Sequence, residues 1–389
     1  MRLFYLFILV FYFIFTIFQN TLAIPSFARK YQISCQTCHA PFPKLKPYGD
    51  EFAGDGFVIK DKETPRAFVE TGDQELLLLK ELPFAIKLEG YATYNNNNSE
   101  LFDFTSPYLL KLLSGGEISK NISYYFYFFV SERGEVAGIE DAFVMFNNLL
   151  GTDLDFYVGQ FQVSDPLFKR ELRLTFEDYL IYKIKPGKSK LNLAYDRGIM
   201  LTYGLPLQMD LTIEILNGNG INPANEDYNV FDNDKYKNYF VRLSQDIIEE
   251  IRIGGFVNTA KEKLSSGNVD FINEIKMFGG DFTLKYDKYI ELNGQFIYRE
   301  DSQCDLNLNT RKTKGGFAEI IFTPEGDESK WYLSALYNHI ESDLTELNYK
   351  AASLHFGYLL KRNIRTIAEI KRNFEEKYNQ FSLGIILAY

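Results

Sequence analysis

The stretch YIELNGQFIYRE at residues 289–300 alternates apolar and polar side chains along its length. Ile290 and Leu292 fall on one face, whereas Glu291 and Arg299 fall on the other. A period of two residues is typical of a β-strand with one apolar and one polar face. The stretch therefore predicts a strand that separates an apolar environment from an aqueous one.

Runs with the same alternation recur from about residue 83 to the C-terminus, and polar turns separate them. We count roughly 17 runs, among them residues 172–184 and 189–200, and expect 16 strands because bacterial barrels have even strand numbers.

Two architectures have this period. In a soluble β-sandwich the apolar faces point inward, whereas in a transmembrane barrel they point to lipid and the polar faces line the lumen. Three features favour the barrel: polar faces with charges of both signs, which suit a watery lumen, aromatic residues at many strand ends, and a final run at residues 381–389 that ends on Tyr389. The predicted fold class is all-β, a transmembrane antiparallel β-barrel of about 16 strands over residues 83–389.

The N-terminus has the layout of an export signal. Arg2 is the only charge in residues 1–23, and residues 3–18 are almost unbroken apolar. This pattern predicts a signal peptide over residues 1–23 with Ile24 as the mature N-terminus. An uncleaved anchor is the alternative, but the apolar stretch falls short of the ~20 residues that a span needs.

Composition and net charge limit the kinds of partner that the chain can have. The chain has 35 Phe and 27 Tyr, and aromatic residues make up 16% of it, which fits strands and membrane interfaces. The net charge of −10 argues against nucleic acid as a partner. Outer-membrane lipid is the expected surroundings of the barrel.

The motif that carries chemistry is Cys35-Gln36-Thr37-Cys38-His39. Two thiols suit thioether bonds to the haem vinyl groups, and the adjacent imidazole of His39 suits the iron. A thioredoxin-like pair would need a βαβ context, and a zinc site would need two more ligands at matching spacing. The single motif therefore predicts one covalent haem c.

Residues 24–60 form the predicted haem-binding segment, and residues 61–82 form a linker. Pro47 is expected to start a short helix that ends at Gly54 or Gly56. A segment of this size is too small to be stable alone, so it needs the haem, a larger partner, or both.

The second axial ligand of the iron is left open by the sequence. No Met or further His occurs between His39 and residue 80. His355, on a predicted lumen face, and Met277 are the candidate distal ligands, and an open or water-occupied position is the alternative. His339 shares a face with lipid-directed residues. Cys304 lies in a polar loop and is expected to have no role.

The motifs Pro25-Ser26-Phe27-Ala28-Arg29, Cys35-Gln36-Thr37-Cys38-His39 and Phe42-Pro43-Lys44-Leu45-Lys46-Pro47-Tyr48-Gly49 resemble the fused cytochrome–porins of the bacterial outer membrane. The family is best known from ferrous-iron oxidases, which carry one N-terminal c-type haem ahead of a β-barrel. In the barrel, residues 159–162, 165–168 and 196–200 look like its porin part. The resemblance implies an outer-membrane location and electron transfer across that membrane.

We expect the haem segment to plug the lumen and to pass electrons from extracellular Fe(II), or another external donor, to a periplasmic cytochrome. Glu291, Asp281 and Glu214 are lumen carboxylates that would attract Fe²⁺, and Lys44 and Lys46 would meet a propionate or an acidic partner. Three alternatives stay open: electron export to an external acceptor, a diffusion porin with a structural haem, and a peroxidase-like haem enzyme. Whether the chain is an enzyme is left open.

Overall fold

The computed structural model describes residues 26–59, 68–69, 72–73, 78–79, 83–97, 101–224, 229–232, 234–266, 269–306 and 309–389. The predicted signal peptide, Ile24 and most of the linker lie outside the described residues. No helix in the described part of the chain is long and apolar enough to cross a membrane.

Sixteen strands close into one antiparallel barrel, in which each strand pairs with its neighbours in sequence and the last strand pairs with the first. The predicted fold class and strand number are confirmed. The strands are β3 Phe84–Asn95, β4 Leu101–Ser119, β5 Ile122–Glu132, β6 Gly138–Phe146, β7 Leu154–Phe161, β8 Asp196–Leu205, β9 Met209–Leu216, β10 Asn238–Ile248, β11 Ile251–Ser266, β12 Val269–Tyr286, β13 Ile290–Asp301, β14 Arg311–Phe322, β15 Trp331–Ser342, β16 Tyr349–Lys361, β17 Ile364–Asn373 and β18 Tyr378–Ala388.

The remaining elements are short. Two-residue strands β1 (Phe68–Val69) and β2 (Leu78–Leu79) pair with each other outside the barrel. The α-helices are α1 (Ser26–Tyr31) and α2 (Pro47–Gly54). Single 3₁₀ turns occur at Cys35–Thr37, Leu149–Gly151, Arg170–Leu172, Leu180–Lys183, Gly326–Glu328 and Thr345–Leu347.

The two faces of the wall are inverted relative to a soluble protein. On β10, Tyr239 and Val241 are 50% and 37% exposed, whereas Arg242 and Ser244 are 3% and 2% exposed. A soluble fold buries its apolar side chains and exposes charges. The opposite arrangement is that of a barrel whose outer face meets lipid, and it excludes the sandwich.

The connections differ between the two ends of the barrel. At one end, here called the turn end, the connections are short, such as residues 120–121, 249–250 and 362–363. At the other, the loop end, the longest are residues 162–195 and 217–237. The first strand begins and the last strand ends at the turn end, so the N-terminal part of the chain enters the barrel there.

Residues 162–195, here called the inner loop, fold back into the lumen. Tyr182 is fully buried, and its hydroxyl donates to Gln295 Oε1 of the wall at 3.0 Å. Apolar loop residues form one cluster with inward-facing wall residues: Val163, Leu167, Ile181, Leu191 and Leu193 from the loop, and Phe240, Phe256, Ile275, Leu336 and Ile340 from the wall.

Two expectations from the sequence are therefore wrong. Residues 172–184 form no strand but lie in the inner loop, and the run at residues 189–200 becomes strand only from Asp196. The apolar side chains of this run pack against the inward face of the barrel wall and not against a neighbouring strand. The lumen is also not polar throughout, because the inner loop and the wall enclose an apolar core at mid-height.

Candidate functional site

The Cys35–His39 motif forms a compact turn. The Ser34 hydroxyl accepts from the Gln36 N–H at 3.3 Å and caps the 3₁₀ turn Cys35–Thr37. The His39 N–H then donates to the Cys35 carbonyl at 2.9 Å. Both motif cysteines are free and half-buried. Burial raises the pKa of Cys35 and of Cys38, which keeps both as thiols. The turn thus brings two thiols and one imidazole together.

The imidazole of His39 is oriented by its surroundings. Nδ1 donates to the Pro43 carbonyl at 2.7 Å, and the ring packs edge-to-face on Phe42 with centroids 5.1 Å apart. Burial lowers the pKa of His39 more than the Pro43 hydrogen bond raises it, so the ring is neutral at neutral pH. With the proton on Nδ1, the lone pair is on Nε2, the state that binds a metal. The donor set fits a haem iron.

Helix α2 begins at Pro47 and ends at Gly54, as predicted, and it packs tightly on the motif. The Lys46 N–H donates to the Cys38 carbonyl at 2.9 Å. A Cβ on Gly49 would lie 2.4 Å from that same carbonyl oxygen. Only glycine allows this approach of helix and motif.

A small aromatic core completes residues 26–59, here called the N-terminal segment. Phe27 stacks on Phe57 at 5.1 Å, and Phe52, only 6% exposed, packs against both. Phe57 also stacks at 5.1 Å on Tyr125 of strand β5. The aromatic core is thus continuous with the barrel wall, which supplies the burial that a segment of this length cannot provide alone.

Polar contacts join the N-terminal segment to other parts of the wall at the turn end. Lys44 Nζ lies 2.7 Å from Glu291 Oε2 on β13, and Lys46 Nζ lies 2.5 Å from Asp327. Asn147 Nδ2 donates to the Gly54 carbonyl at 2.8 Å. Strands β5 and β13 are eight strands apart in the ring of 16, so the segment contacts opposite walls.

The Lys44–Glu291 pair should stabilise the docked segment measurably. We expect Lys44→Met to destabilise the docked segment by about 2 kcal/mol, because it leaves Glu291 without its cation in a largely buried position. Limited proteolysis of the N-terminal segment in the purified protein measures this. The double variant Lys44→Met/Glu291→Leu should recover part of the loss. Equal protease sensitivity of wild type and Lys44→Met would rule out the effect.

His355 lies on the inward face of β16, as expected, but both of its ring nitrogens are engaged. Nδ1 lies 2.9 Å from Glu369 Oε2, and Nε2 lies 3.3 Å from the Tyr332 hydroxyl. Arg365 stands between His355 and the N-terminal segment, since it donates to both Tyr332 and the Phe42 carbonyl. The structure does not bring His355 into contact with His39.

Met277 lies further away, in an apolar pocket with Ile181 and Leu193 of the inner loop. It pairs with Arg299, which stands eight residues beyond Glu291 on β13. That separation is about 26 Å at the usual strand rise. Glu291 marks the position of the N-terminal segment on β13, because Lys44 pairs with it. Met277 is therefore remote from the motif. The identity of the distal ligand stays a prediction. His339 is exposed on the outward face.

The lumen carboxylates are largely neutralised. Glu291 pairs with Lys44, and Asp281 pairs with Arg242 at 2.6 Å. Glu214 is fully buried, and neither of its oxygens has a hydrogen-bond partner among the described residues. Within the described ranges no three or more His, Cys, Asp or Glu side chains form a group able to hold a metal ion.

The inner loop is anchored by acidic residues that sequence reasoning missed. Glu369 of β17 accepts the Phe176 and Glu177 N–H groups at 2.6 and 2.9 Å. Glu171 lies 2.5 Å from Lys111 Nζ of β4. Charges of both signs at residues 169–178, after Pro166, were the available signal for a loop.

The tip of the inner loop rests on Cys304. This thiol is fully buried, and a Cβ on Gly187 would lie 2.4 Å from the Cys304 carbonyl oxygen. The Lys188 N–H donates to that carbonyl at 2.8 Å. Cys304 therefore lies at the loop end, away from the motif at the turn end.

No family model and no curated protein matches this chain. Solved structures do. OmpT of Vibrio cholerae, an outer membrane protein folded in vitro as a trimer, is 11% identical with a TM-score of 0.55 over 79% of this chain and 99% of that one. The chain has the fold of an outer-membrane porin. This fold, together with the apolar outer face, places the barrel in the bacterial outer membrane.

Two further porin-fold structures are similar to the same extent. The anion-selective porin from Comamonas acidovorans is 11% identical with a TM-score of 0.55, and the match covers 79% of this chain and 99% of that chain. The outer membrane channel DcaP of Acinetobacter baumannii is 13% identical with a TM-score of 0.54, covering 79% and 97%. At such identities the likeness concerns the fold alone.

Proposed function

We propose that this porin-fold protein is a monohaem c-type cytochrome–porin that carries electrons across the outer membrane, from extracellular Fe(II) to a periplasmic cytochrome. The observation that supports it best is the hydrogen bond from His39 Nδ1 to Pro43 inside the Cys35–His39 turn. That bond presents Nε2 to a metal. Cys35 and Cys38 would hold the haem covalently, and the haem would supply a one-electron couple.

The position of the N-terminal segment fits a periplasmic partner. Outer-membrane barrels have short periplasmic turns and longer extracellular loops. The segment contacts the turn end through Lys44, Lys46 and Phe57, so the motif would face the periplasm. We propose that the segment acts as a plug at that mouth, where a soluble cytochrome has direct access to it.

A diffusion porin with a structural haem is the second candidate, and the solved porins that share the fold favour it. The interior opposes it. Inner-loop residues such as Tyr179 and Tyr182 pack against Phe317 and Leu336 of the wall and fill the middle of the lumen. A packed apolar core leaves little room for solute flow through the lumen. Low ion conductance of the purified protein in planar bilayers would favour the electron-transfer function.

Reduction by Fe(II) tests the proposed donor. We expect stopped-flow mixing of Fe(II) with the oxidised full-length protein to produce the absorption bands of a reduced c-type haem, and a low-spin spectrum at rest. A barrel that lacks the two motif cysteines is the control and should give no bands. Failure of reduction at every acidic and neutral pH would exclude Fe(II) as donor, and a high-spin resting spectrum would favour a peroxidase-like enzyme.

If the direction is reversed, the same preparation distinguishes it. Reduced protein that is oxidised by an external acceptor, yet resists reduction by Fe(II), would indicate electron export. The potential of the haem decides between the two directions, and ligands and local charges set that potential.

A further inference from the structure

Among the described residues, Arg365 on strand β17 is a buried cation without an anionic partner. It is 3% exposed, and its NH1 group donates to the Tyr332 hydroxyl at 2.5 Å and to the carbonyls of Phe42 and Leu174 at 3.2 and 3.5 Å. Every acceptor is neutral. Its Nε has no hydrogen-bond partner, and it forms no ion pair, among the described residues. A buried guanidinium without a counter-charge is costly.

The surrounding carboxylates are already engaged. Glu89 pairs with Lys87 at 2.5 Å, and Glu171 pairs with Lys111 at 2.5 Å. Glu369 lies four residues, or about 13 Å, further along the same strand, and it accepts three hydrogen bonds, from His355 and from two N–H groups of the inner loop. None of these carboxylates forms an ion pair with Arg365, so the guanidinium is open to an anion from elsewhere.

Arg365 also contacts the predicted haem-binding segment, next to His39, the proposed iron ligand. Its partner Phe42 packs on the His39 ring with centroids 5.1 Å apart. A haem attached through its vinyl groups at Cys35 and Cys38 keeps both of its propionate carboxylates. Such a group bound to His39 would therefore bring anionic carboxylates into this region of the lumen.

We propose that Arg365 binds a carboxylate of the covalent haem and thereby positions the haem against the barrel wall. This inference rests on the proposed function. Arginine suits the role because its planar fork can form two parallel hydrogen bonds to one carboxylate, and the free Nε is one arm of that fork. The ion pair would stabilise the docked segment and raise the reduction potential, since a nearby cation disfavours the more positive ferric state.

The test uses full-length holoprotein whose haem carries ¹³C in the propionate carboxylates. In redox-difference infrared spectra, Arg365→Gln should shift the labelled carboxylate bands, and its midpoint potential should fall below that of wild type. Arg365→Lys keeps the charge but loses the fork, so its potential should stay near wild type while the labelled bands shift. Arg372→Gln is the matched control, on the same strand but about 23 Å away, and should behave as wild type.

Labelled bands that are identical in wild type, Arg365→Gln and Arg365→Lys would overturn the inference. A potential that depends on chloride or phosphate in wild type but not in Arg365→Gln, with unshifted labelled bands, would assign the site to a free anion and also overturn it. If Arg365→Gln yields no holoprotein, the bands of Arg365→Lys decide. A folded wild-type barrel without covalent haem would instead refute the proposed function itself.

Discussion

Replacing Cys35 and Cys38 with alanine should leave a folded barrel that carries no covalent haem. The two thiols provide the only thioether attachment that the Cys35–His39 turn offers, and a loss of both leaves His39 as a single non-covalent tether. The barrel itself should persist, because its 16 strands are closed by pairing between β3 and β18 without any contribution from the motif. Haem staining after denaturing electrophoresis measures attachment, and heat-modifiable migration reports the barrel.

The matched control for this double variant is Cys304→Ala. Cys304 is fully buried against the inner loop at the loop end, far from the motif. It should keep its covalent haem at the wild-type stoichiometry. Haem that remains bound to the Cys35→Ala/Cys38→Ala chain through denaturation would mean that the attachment site lies elsewhere.

The second large effect is expected at Glu369, whose carboxylate holds the inner loop to the wall. It accepts hydrogen bonds from the Phe176 and Glu177 N–H groups, and His355 Nδ1 lies 2.9 Å away. Glu369→Ala should lower the free energy of unfolding by about 3 kcal/mol or more, because each buried donor left without an acceptor costs about 1–3 kcal/mol. The loosened loop should open the lumen, which single-channel recording in planar bilayers would register as a marked rise in ion conductance.

Glu274→Ala serves as the control for this effect. Glu274 is likewise a wall carboxylate with a partner, Lys261, but the pair lies on the outward face near the loop end, where both side chains are about half exposed. Its removal should leave conductance and thermal unfolding unchanged, since exposed pairs contribute little. Unaltered conductance in Glu369→Ala would show that the lumen is closed by something other than the anchored loop.

The predicted haem-binding segment and the inner loop are connected inside the lumen. Arg365 contacts Phe42 of the N-terminal segment, Leu174 of the inner loop and Tyr332 of the wall. Arg365 thus links the inner loop to the segment, and Lys169 of the loop also lies 3.9 Å from Asp50 of the segment. Loss of Glu369 should therefore alter the loop first and leave haem attachment at the two cysteines intact, which haem staining of the same preparations can verify.

Strand assignment from sequence succeeded where one face of a run meets lipid. Residues 289–300 became β13, and residues 381–389 contain most of β18, because the outward positions must be apolar along the whole strand. It failed at residues 172–184. That run alternates as a strand does, yet its apolar side chains pack across the lumen against Phe317 and Leu336. Local periodicity does not distinguish lipid from a protein core as the apolar partner.

The sequence by itself determined the closed β-barrel and the Cys35–His39 motif, because strand alternation and a contiguous motif are local properties of the chain. Alternation alone gave one run too many, and the even strand number of bacterial barrels was needed to reach 16. Only the tertiary structure decided which side chains surround that motif. Lys44 meets Glu291 across 247 positions, and Arg365 meets Phe42 across 323. Such contacts depend on how a ring of strands closes around the N-terminal segment, and no pattern within either partner's own neighbourhood records them.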